Sequence, residues 1–248
     1  MSHQTTRQPS DQIHSPRLYV STPRPKTIWD IDVTDRTILV RVDYNVPFRP
    51  GTDNISDDSR IRASLPTIRH LLDRRCKVVL CSHLGRPNGQ IVEEMRMRPV
   101  AQRLAELIDK PVAQTLDSVG PEVTKAIGTL EPGQIIMLEN LRFHPGEERN
   151  DPLFAAALSS LADAFVNDAF GTAHRAHAST EGVTRFLPSV AGLLMARELE
   201  VLQHVLESPE RPFSAILGGA KVSDKLAVLE NLVGRVDSLM IGGGMAAT

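Results

Sequence analysis

The sequence predicts an α/β fold in which helices cover both faces of a parallel sheet, giving three layers in the order αβα. One observation is the alternation, from Thr37 onward, of short apolar runs with amphipathic segments, which is typical of repeated βαβ units. A second is composition, because 248 residues that are 41% hydrophobic can fill a large packed core. A third is a further βαβ pattern near the end of the chain, which predicts the start of a second lobe.

The predicted strands of the first lobe are short runs of apolar and β-branched residues. They are TILVRVD from Thr37, KVVLCSH from Lys77, GQIIMLEN from Gly133 and DAFVNDAF from Asp163. Cys76 and Cys81 are the only two cysteines, and their odd separation along a strand places them on opposite faces of the sheet. We therefore expect neither a metal pair nor a disulfide between them.

The predicted helices lie between these strands. SRIRASLPTIRHLLDRR from Ser59 and RPVAQRLAELIDK from Arg98 repeat apolar residues at helical spacing. In DPLFAAALSSLADA, Asp151 is a predicted N-cap and Pro152 takes the first helical position. The segment after Pro188, SVAGLLMARELEVLQHVLES, has apolar residues along one face and predicts one long helix over 189–208 that leads out of the first lobe.

Residues 209–248 contain a single predicted βαβ unit. The strand FSAIL is followed by the glycine turn GGAKVSDK, a helix over VSDKLAVLENLVGR and a second strand, DSLMI. So short a unit buries too little surface to fold alone, so we expect an incomplete second lobe. The predicted domains are a tail over 1–26, a first lobe over 27–188, a connecting helix over 189–208 and the start of the second lobe over 209–248.

Composition limits the class of protein. The net charge of −2 provides no global basic field for nucleic acid, and no apolar run approaches the length of a membrane span. Without a disulfide framework the protein is predicted to be cytoplasmic. Residues 1–26 are rich in Ser, Thr, Pro and basic residues, with Asp11 as the one acid, and predict a disordered tail. An organelle transit peptide and a misplaced start codon are the alternatives.

Polar or charged side chains follow the predicted strands, at the sheet edge where open parallel sheets bind ligands. They are Asp43, Asn45, His83, Arg86, Arg142, His144, Asp168, His174, Arg175 and His177, and Arg60 opens the next helix near the same edge. Clustered arginines repel one another unless an anion lies among them, and the guanidinium fork suits phosphate and carboxylate. We therefore predict a site for a small, highly anionic metabolite. His174 and His177 lack a third ligand at a recognisable spacing, so no metal site is predicted.

The turn GGAKVSDK predicts a second anion site. Gly218 and Gly219 allow a tight turn, and the helix that follows offers free N–H groups. Lys221 and Lys225 lie four residues apart at that helix start, where a like-charge pair costs roughly 0.2–0.5 kcal/mol. Phosphates between the lysines would offset this cost. The closing GGGMAA also fits the dinucleotide fingerprint G-x-G-x-x-A, so a dehydrogenase is an alternative.

Six motifs together resemble the phosphoglycerate kinase family, in its order and at its spacing, from Thr27 to Thr248. They are RVDYNVP, SHLGRPNG, LENLRFHPGEE, VNDAFGTAHRAHAS, PFSAILGGAKVSDK and IGGGMA. The resemblance implies two Rossmann-like lobes joined by a long helix. It also implies reversible phosphoryl transfer between ATP and the carboxylate of 3-phosphoglycerate, giving 1,3-bisphosphoglycerate and ADP, by a monomer that closes around its substrates.

The resemblance also implies roles for individual residues. Asp43 and Asn45 would hold the acceptor near its hydroxyl, and Tyr44, Leu84 and Gly85 belong to the same site. His83, Arg86, Arg142 and Arg175 would bind the acceptor's phosphate. Arg60 would reach its carboxylate and the transferring group, and Lys221 would stabilise that group in the transition state. Residues implied to bind the nucleotide, ATP or ADP with Mg²⁺, are Gly218, Gly219, Lys221, Lys225, Gly242 and Gly243.

The sequence departs from the family pattern in three places. Tyr44 replaces a common phenylalanine, and Ala247 replaces a common asparagine. The rest of the nucleotide lobe is also expected to be absent, with its adenine and ribose contacts, its magnesium-binding aspartate and its C-terminal segment. We therefore expect weak activity or none from this chain alone. The alternative is a non-catalytic module that binds 3-phosphoglycerate and pairs its exposed strand edges with a partner.

Overall fold

The computed structural model describes residues 24–219 and 225–247. In this part of the chain a six-stranded parallel sheet has the order β3-β4-β2-β1-β5-β6. Its strands are β1 (Thr37–Arg41), β2 (Lys77–Cys81), β3 (Val112–Gln114), β4 (Ile135–Met137), β5 (Ala164–Asn167) and β6 (Ser189–Ala191). All pairings are parallel, with Leu39 opposite Val79 and Phe165 in register. The predicted α/β sheet is confirmed.

Helices cover both faces of this sheet. They are α1 (Ser59–Asp73), α2 (Arg98–Ile108), α3 (Pro121–Gly128), α4 (Pro145–Glu148), α5 (Pro152–Ser159) and α6 (Leu193–Glu207). Apolar side chains of α1 and α2 form one core with one face of the sheet, whereas those of α3 and α5 form a second core with the other face. The predicted three layers follow from these two cores. Asp151 caps α5 by accepting hydrogen bonds from the N–H groups of Leu153 and Phe154, as predicted.

Alternation along the central strands divides their side chains between the two cores. Ile38 and Val40 of β1 face α1 and α2, whereas Leu39 faces α3 and α5. Each side chain is fully buried, and such burial stabilises a protein by about 1.5–3 kcal/mol per side chain. Cys76 and Cys81 are buried, free and divided between the two cores, which confirms that they do not pair.

The structure corrects the prediction for the segment after Pro188. Residues Ser189–Ala191 form β6 rather than the first turn of a helix, because Val190 is buried and the segment pairs with β5. Gly192 ends the strand in extended backbone, and α6 begins only at Leu193. Strand β3 and helix α3 lie in segments for which the sequence analysis predicted no element.

The second βαβ unit forms a separate two-stranded parallel sheet. It comprises β7 (Ser214–Gly218), α7 (Leu226–Val233) and β8 (Ser238–Gly242), which confirms its predicted elements over the described residues. Most of the predicted tail, residues 1–23, lies outside the described residues. The carbonyl of Lys26 accepts a hydrogen bond from the N–H of Ala191 at 2.9 Å. No helix within 24–219 or 225–247 combines the length and apolarity that a membrane crossing needs.

Candidate functional site

The structure brings the predicted acceptor residues to the carboxyl edge of the six-stranded sheet. Asp43 and Asn45 follow β1, His83 follows β2, and Arg142 lies in a short 3-10 turn after β4. Arg175 lies in the loop that follows β5. Parallel strands end at one edge, so four separate segments of the sequence contribute to one rim.

The centre of this rim is an arginine–histidine cluster, which consists of Arg41, His83, Arg142, Arg175 and His177. His83 is buried, with 3% of its surface exposed. Burial, together with the positive charges of the neighbouring Arg41, Arg142, Arg175 and His177, lowers the pKa of His83 to about 2. His83 is therefore neutral near pH 7 and is surrounded by positive charge.

Arg142 is held in the cluster by the loop that follows β2. Its side chain is almost fully buried, and its Nη1 donates to the Gly85 carbonyl at 2.8 Å. Its Nε lies 3.2 Å from Glu148 Oε1 without forming a hydrogen bond. Burial lowers the pKa of Arg142, and Glu148 opposes that shift. The guanidinium thus keeps donor capacity that an anion can use.

Asn45 and Gly85 join the ends of β1 and β2. The N–H of Gly85 donates to Asn45 Oδ1 at 2.9 Å. Gly85 has φ +63°, a conformation that favours glycine, and a Cβ there would collide with the Met95 sulfur. The adjacent Arg86 is exposed, and its side chain makes no hydrogen bond or ion pair within the described residues. Arg86 is therefore available to a ligand approaching from solvent.

Asp43 and Arg60 form an ion pair beside this loop. Arg60 Nη1 lies 2.5 Å from Asp43 Oδ2, and the other carboxylate oxygen, Oδ1, is buried without a hydrogen-bond partner among the described residues. A cleft of about 380 Å³ is lined by both side chains, together with Asp168 and Leu194 at the start of α6. The pair can therefore contact a small ligand in the cleft.

Two residues of the predicted site direct their side chains into the core. Tyr44 is fully buried, and its hydroxyl lies 2.6 Å from Ser64 Oγ. Leu84 is buried in the same core, and its N–H donates to Asn140 Oδ1 at 3.2 Å. Any contact of Tyr44 or Leu84 with an acceptor at the rim would therefore involve the backbone.

The histidines of the HRAH segment contact protein groups. Arg175 Nε donates to His174 Nε2 at 3.4 Å, and His177 Nδ1 lies 3.8 Å from Glu147 Oε1. Burial lowers the pKa of His177, and Glu147 opposes that shift. Among the described residues, no three His, Cys, Asp or Glu side chains are grouped to hold a metal ion.

The glycine turns of the second sheet lie side by side. Gly218 and Gly242 are register partners at the ends of β7 and β8. A Cβ added to Gly219 would lie 3.2 Å from Lys225 Cε. A Cβ added to Gly243, which has φ +65°, would lie 3.5 Å from the backbone of Gly219. Lys225 immediately precedes α7. The structure thus gathers the predicted nucleotide residues, except Lys221, which lies outside the described residues.

Sequence reasoning missed the buried polar residues that support the rim. Arg41 on β1 is 1% exposed, and its Nε donates to Ser179 Oγ at 2.8 Å. Ser179 in turn donates from Oγ to Oε1 of the fully buried Glu147 at 2.6 Å. The available signal was an arginine at the end of an apolar strand, since a buried charge must find partners.

Asp168 has a structural contact that the sequence did not predict. Its Oδ1 accepts from the N–H groups of Leu194 at 2.9 Å and Met195 at 3.3 Å, at the start of α6. Thr67 of α1 accepts from the N–H of Leu193 at 2.9 Å. The first turn of α6 is therefore anchored to both α1 and β5.

A larger depression lies away from the rim, between the loop before α1 and the surface of α2. It has a volume of about 710 Å³. Asp58 in its lining is already paired, with Arg62 at 2.8 Å and with Arg103 at 2.7 Å. The arginine–histidine cluster differs because the buried Arg142 Nε has no hydrogen-bond partner among the described residues.

Comparison with known proteins agrees with this geometry. A family model described as "Phosphoglycerate kinase" matches residues 28–248. The chain belongs to the phosphoglycerate kinase family. A phosphoglycerate kinase of Thermomicrobium roseum is 58% identical over 223 residues, and one of Moorella thermoacetica is 56% identical over 222 residues. Each alignment covers 90% of the chain but 56% of the relative, so the chain spans little more than half the length of these curated proteins.

Solved phosphoglycerate kinase structures share the fold. The structure from Coxiella burnetii has a TM-score of 0.77 at 38% identity, and that from Pyrococcus horikoshii OT3 has a TM-score of 0.78 at 36% identity. Both alignments cover 90% of this chain and 56% of the solved chain. The Rossmann-like parallel sheet is therefore the sheet of this family.

Proposed function

We propose that the protein is a phosphoglycerate kinase and that its first lobe binds the acceptor, 3-phosphoglycerate. The reaction is reversible phosphoryl transfer between ATP and the acceptor's carboxylate, giving 1,3-bisphosphoglycerate and ADP in glycolysis or gluconeogenesis. The observation that carries the proposal is the arginine–histidine cluster, in which Arg41, Arg142 and Arg175 surround a buried neutral histidine. An anion with several negative charges offsets their mutual repulsion.

The acceptor's groups are assigned by the chemistry of the rim. Arg142 and Arg175, with the exposed Arg86, bind the acceptor's phosphate through charge-assisted hydrogen bonds. Asp43 and Asn45 are proposed to accept a hydrogen bond from the substrate hydroxyl. Arg60, which lines the cleft, binds the carboxylate and the transferring group. Catalysis of this kind depends on positioning and charge rather than on a covalent intermediate.

The nucleotide side rests on the glycine turns and on Lys225. Gly218, Gly219, Gly242 and Gly243 leave the backbone open where phosphates of ATP or ADP would lie, and Lys225 supplies a positive charge. Lys221 follows the first turn in the sequence and is proposed to stabilise the transferring group. Mg²⁺ neutralises nucleotide phosphates when bound, and we assign no magnesium ligand to the described residues.

Titration of the 248-residue chain with 3-phosphoglycerate tests the acceptor site by calorimetry. Arg142→Ala should weaken binding at least about tenfold, since a hydrogen bond to a charged group contributes about 1.5–3 kcal/mol. Absence of binding by the folded unmodified chain would refute the proposed acceptor site. Binding without phosphoryl transfer by the full-length protein would instead support the non-catalytic module.

The role of Arg60 is tested by a matched pair of variants. In the full-length protein, Arg60→Ala should lower turnover far more than acceptor affinity, because its proposed partner is the transferring group. Arg62→Ala is the control, since Arg62 lies on the same helix, is similarly exposed and also pairs with an aspartate. ATP-dependent phosphorylation coupled to NADH oxidation measures both. Equal losses in turnover and affinity would refute the assignment.

Two further proposals concern the whole protein. We propose a cytoplasmic location, supported by the free, buried state of both cysteines. We also propose that the full-length protein is a monomer, as the family resemblance implies. Sedimentation of the purified full-length protein tests the second proposal, and a concentration-dependent dimer would contradict it.

A further inference from the structure

Arg41 makes a contact that determines which nitrogen of His83 carries the proton. Arg41 Nη2 lies 3.1 Å from His83 Nδ1. A guanidinium group only donates hydrogen bonds, so Nδ1 must accept this one. In a neutral imidazole the proton then resides on Nε2, which becomes the donor.

The Arg41 side chain is itself fixed on several sides. Its Nε donates to Ser179 Oγ at 2.8 Å, and its Nη1 donates to the Val42 carbonyl. Ser179 also binds both carboxylate oxygens of Glu147, at 2.6 Å through Oγ and at 3.0 Å through its N–H. Arg41 and Glu147 are both buried, and the serine links the two charges. A guanidinium held in this way cannot turn away from His83 without breaking its hydrogen bonds to Ser179 and Val42.

The surroundings of His83 keep the ring neutral. Burial is the main cause of its lowered pKa, and Arg41, Arg142, Arg175 and His177 act in the same direction. A doubly protonated ring would also present a proton from Nδ1 toward the guanidinium, where two donors would face each other.

We propose that Arg41 is a positioning residue that holds His83 as the Nε2–H tautomer, so that His83 presents a neutral hydrogen-bond donor to the acceptor's anionic group. The part concerning the acceptor rests on the proposed function, whereas the tautomer depends only on the contact between the two side chains. A neutral donor keeps its charge unchanged across physiological pH. The positive charge at the site then comes from the arginines, which do not titrate there.

The test is nitrogen NMR of the chain with ¹⁵N-labelled histidine. Long-range proton–nitrogen spectra distinguish a protonated ring nitrogen from an unprotonated one for each histidine. We expect His83 to show Nε2–H alone and no protonation from pH 8 down to pH 5. A His83 that carries its proton on Nδ1, or that titrates near its ordinary pKa, would overturn the proposal without any variant being made.

Variants then test whether Arg41 is the cause. Arg41→Met should shift the Nδ1 resonance away from its hydrogen-bonded position and let His83 protonate at higher pH, whereas Arg41→Lys, which also only donates, should restore the wild-type spectrum. Leu104→Ala, on the buried face of α2, is the control for general loosening and should leave His83 unchanged. If Arg41→Met does not fold, the Arg41→Lys and wild-type spectra still decide the matter. A folded Arg41→Met protein with an unchanged His83 spectrum would overturn the role of Arg41.

Addition of 3-phosphoglycerate separates this proposal from the proposed function. Binding should shift the His83 Nε2–H proton while Nδ1 stays unprotonated. Binding by calorimetry without any shift at His83 would refute the donor role and leave acceptor binding intact. Failure to bind, with the Nε2–H tautomer present, would refute the proposed function and leave the tautomer established.

Discussion

Replacing Asp168 tests the anchor that holds α6 to the first lobe. Asp168→Ala removes an oxygen that accepts from the N–H groups of Leu194 and Met195. Loss of a helix cap costs about 0.5–2 kcal/mol, and a buried donor without a partner costs about 1–3 kcal/mol. Removal of a buried carboxylate offsets part of this cost. We expect a net decrease of about 1–3 kcal/mol in the free energy of unfolding.

Asp168→Asn separates the hydrogen bonds from the charge. The side-chain oxygen that accepts from α6 is kept, so we expect a change within about 1 kcal/mol at neutral pH. Asp163→Ala is the matched control, since Asp163 lies at the other end of β5, is exposed and accepts one hydrogen bond, from Thr37 at 2.8 Å. Urea unfolding followed by circular dichroism measures all three variants. An Asp168→Ala protein as stable as Asp163→Ala would refute the anchor.

The pH dependence of the stability of the wild type and of Asp168→Asn gives an independent check on the role of this carboxyl group. Burial has the largest influence on Asp168 and raises its pKa above the ordinary value of 3.8, although hydrogen bonds from Thr67 and from the N–H groups of Leu194 and Met195 act in the opposite direction. With a raised pKa, Asp168 holds its proton more tightly in the folded chain than in the unfolded chain. This adds to the free energy of unfolding in full below the unfolded pKa, and the gain is lost as pH rises through the folded pKa. The wild type should therefore lose stability relative to Asp168→Asn as pH rises from about 4. A relative gain would show that attraction to the α6 N-terminus outweighs burial.

Three further predictions concern separate parts of the molecule. Arg86→Ala should weaken 3-phosphoglycerate binding without lowering stability, because the Arg86 side chain is exposed. Arg142→Ala should lower both binding and stability, because Arg142 also donates to the Gly85 carbonyl. Equal melting temperatures for the two variants would contradict this difference. Burial raises the pKa of Cys76 to about 11 and that of Cys81 to about 12. Iodoacetamide should therefore modify both thiols at least about a hundredfold more slowly in the folded chain than in urea. Fast labelling of the native protein would contradict their burial. Leu104→Ala should cost about 2–5 kcal/mol in urea unfolding, since Leu104 is fully buried, and a cost below 1 kcal/mol would indicate that the core refills the space.

The elements that could be predicted are those whose apolar pattern is long enough to be distinctive. Strands β1 and β2 contain several consecutive apolar residues, and α1 and α2 repeat such residues over three or more turns. Strand β6 was missed because three residues cannot display a period, and Val190 fits a helix as well as a strand. What decides its structure is pairing with β5, and that contact is between segments distant in sequence.

The same limit applied to the candidate site. Arg142 and Arg175 could be predicted to lie near each other because each follows a predicted strand, and the ends of parallel strands meet at one edge. Arg41 was missed because its partners, His83 and Ser179, are far away in the sequence and become neighbours only in the folded chain. The sequence indicates which charged side chains lie at the rim. It does not indicate that one of them, Arg41, holds another side chain, His83, in position.

The helix that carries Arg60 also anchors α6. Thr67 follows Arg60 by about two turns of α1 and accepts the N–H of Leu193, so the two residues lie on similar sides of one helix. Arg60 pairs with Asp43, and Asp168 holds the next N–H groups of α6 from the end of β5. Because the Asp43–Arg60 cleft and the start of α6 share α1 and β5, a change in the direction of α6 must either break these hydrogen bonds or move the helix that carries Arg60. The position of Arg60 in the cleft is therefore mechanically tied to the helix that leads to the second sheet.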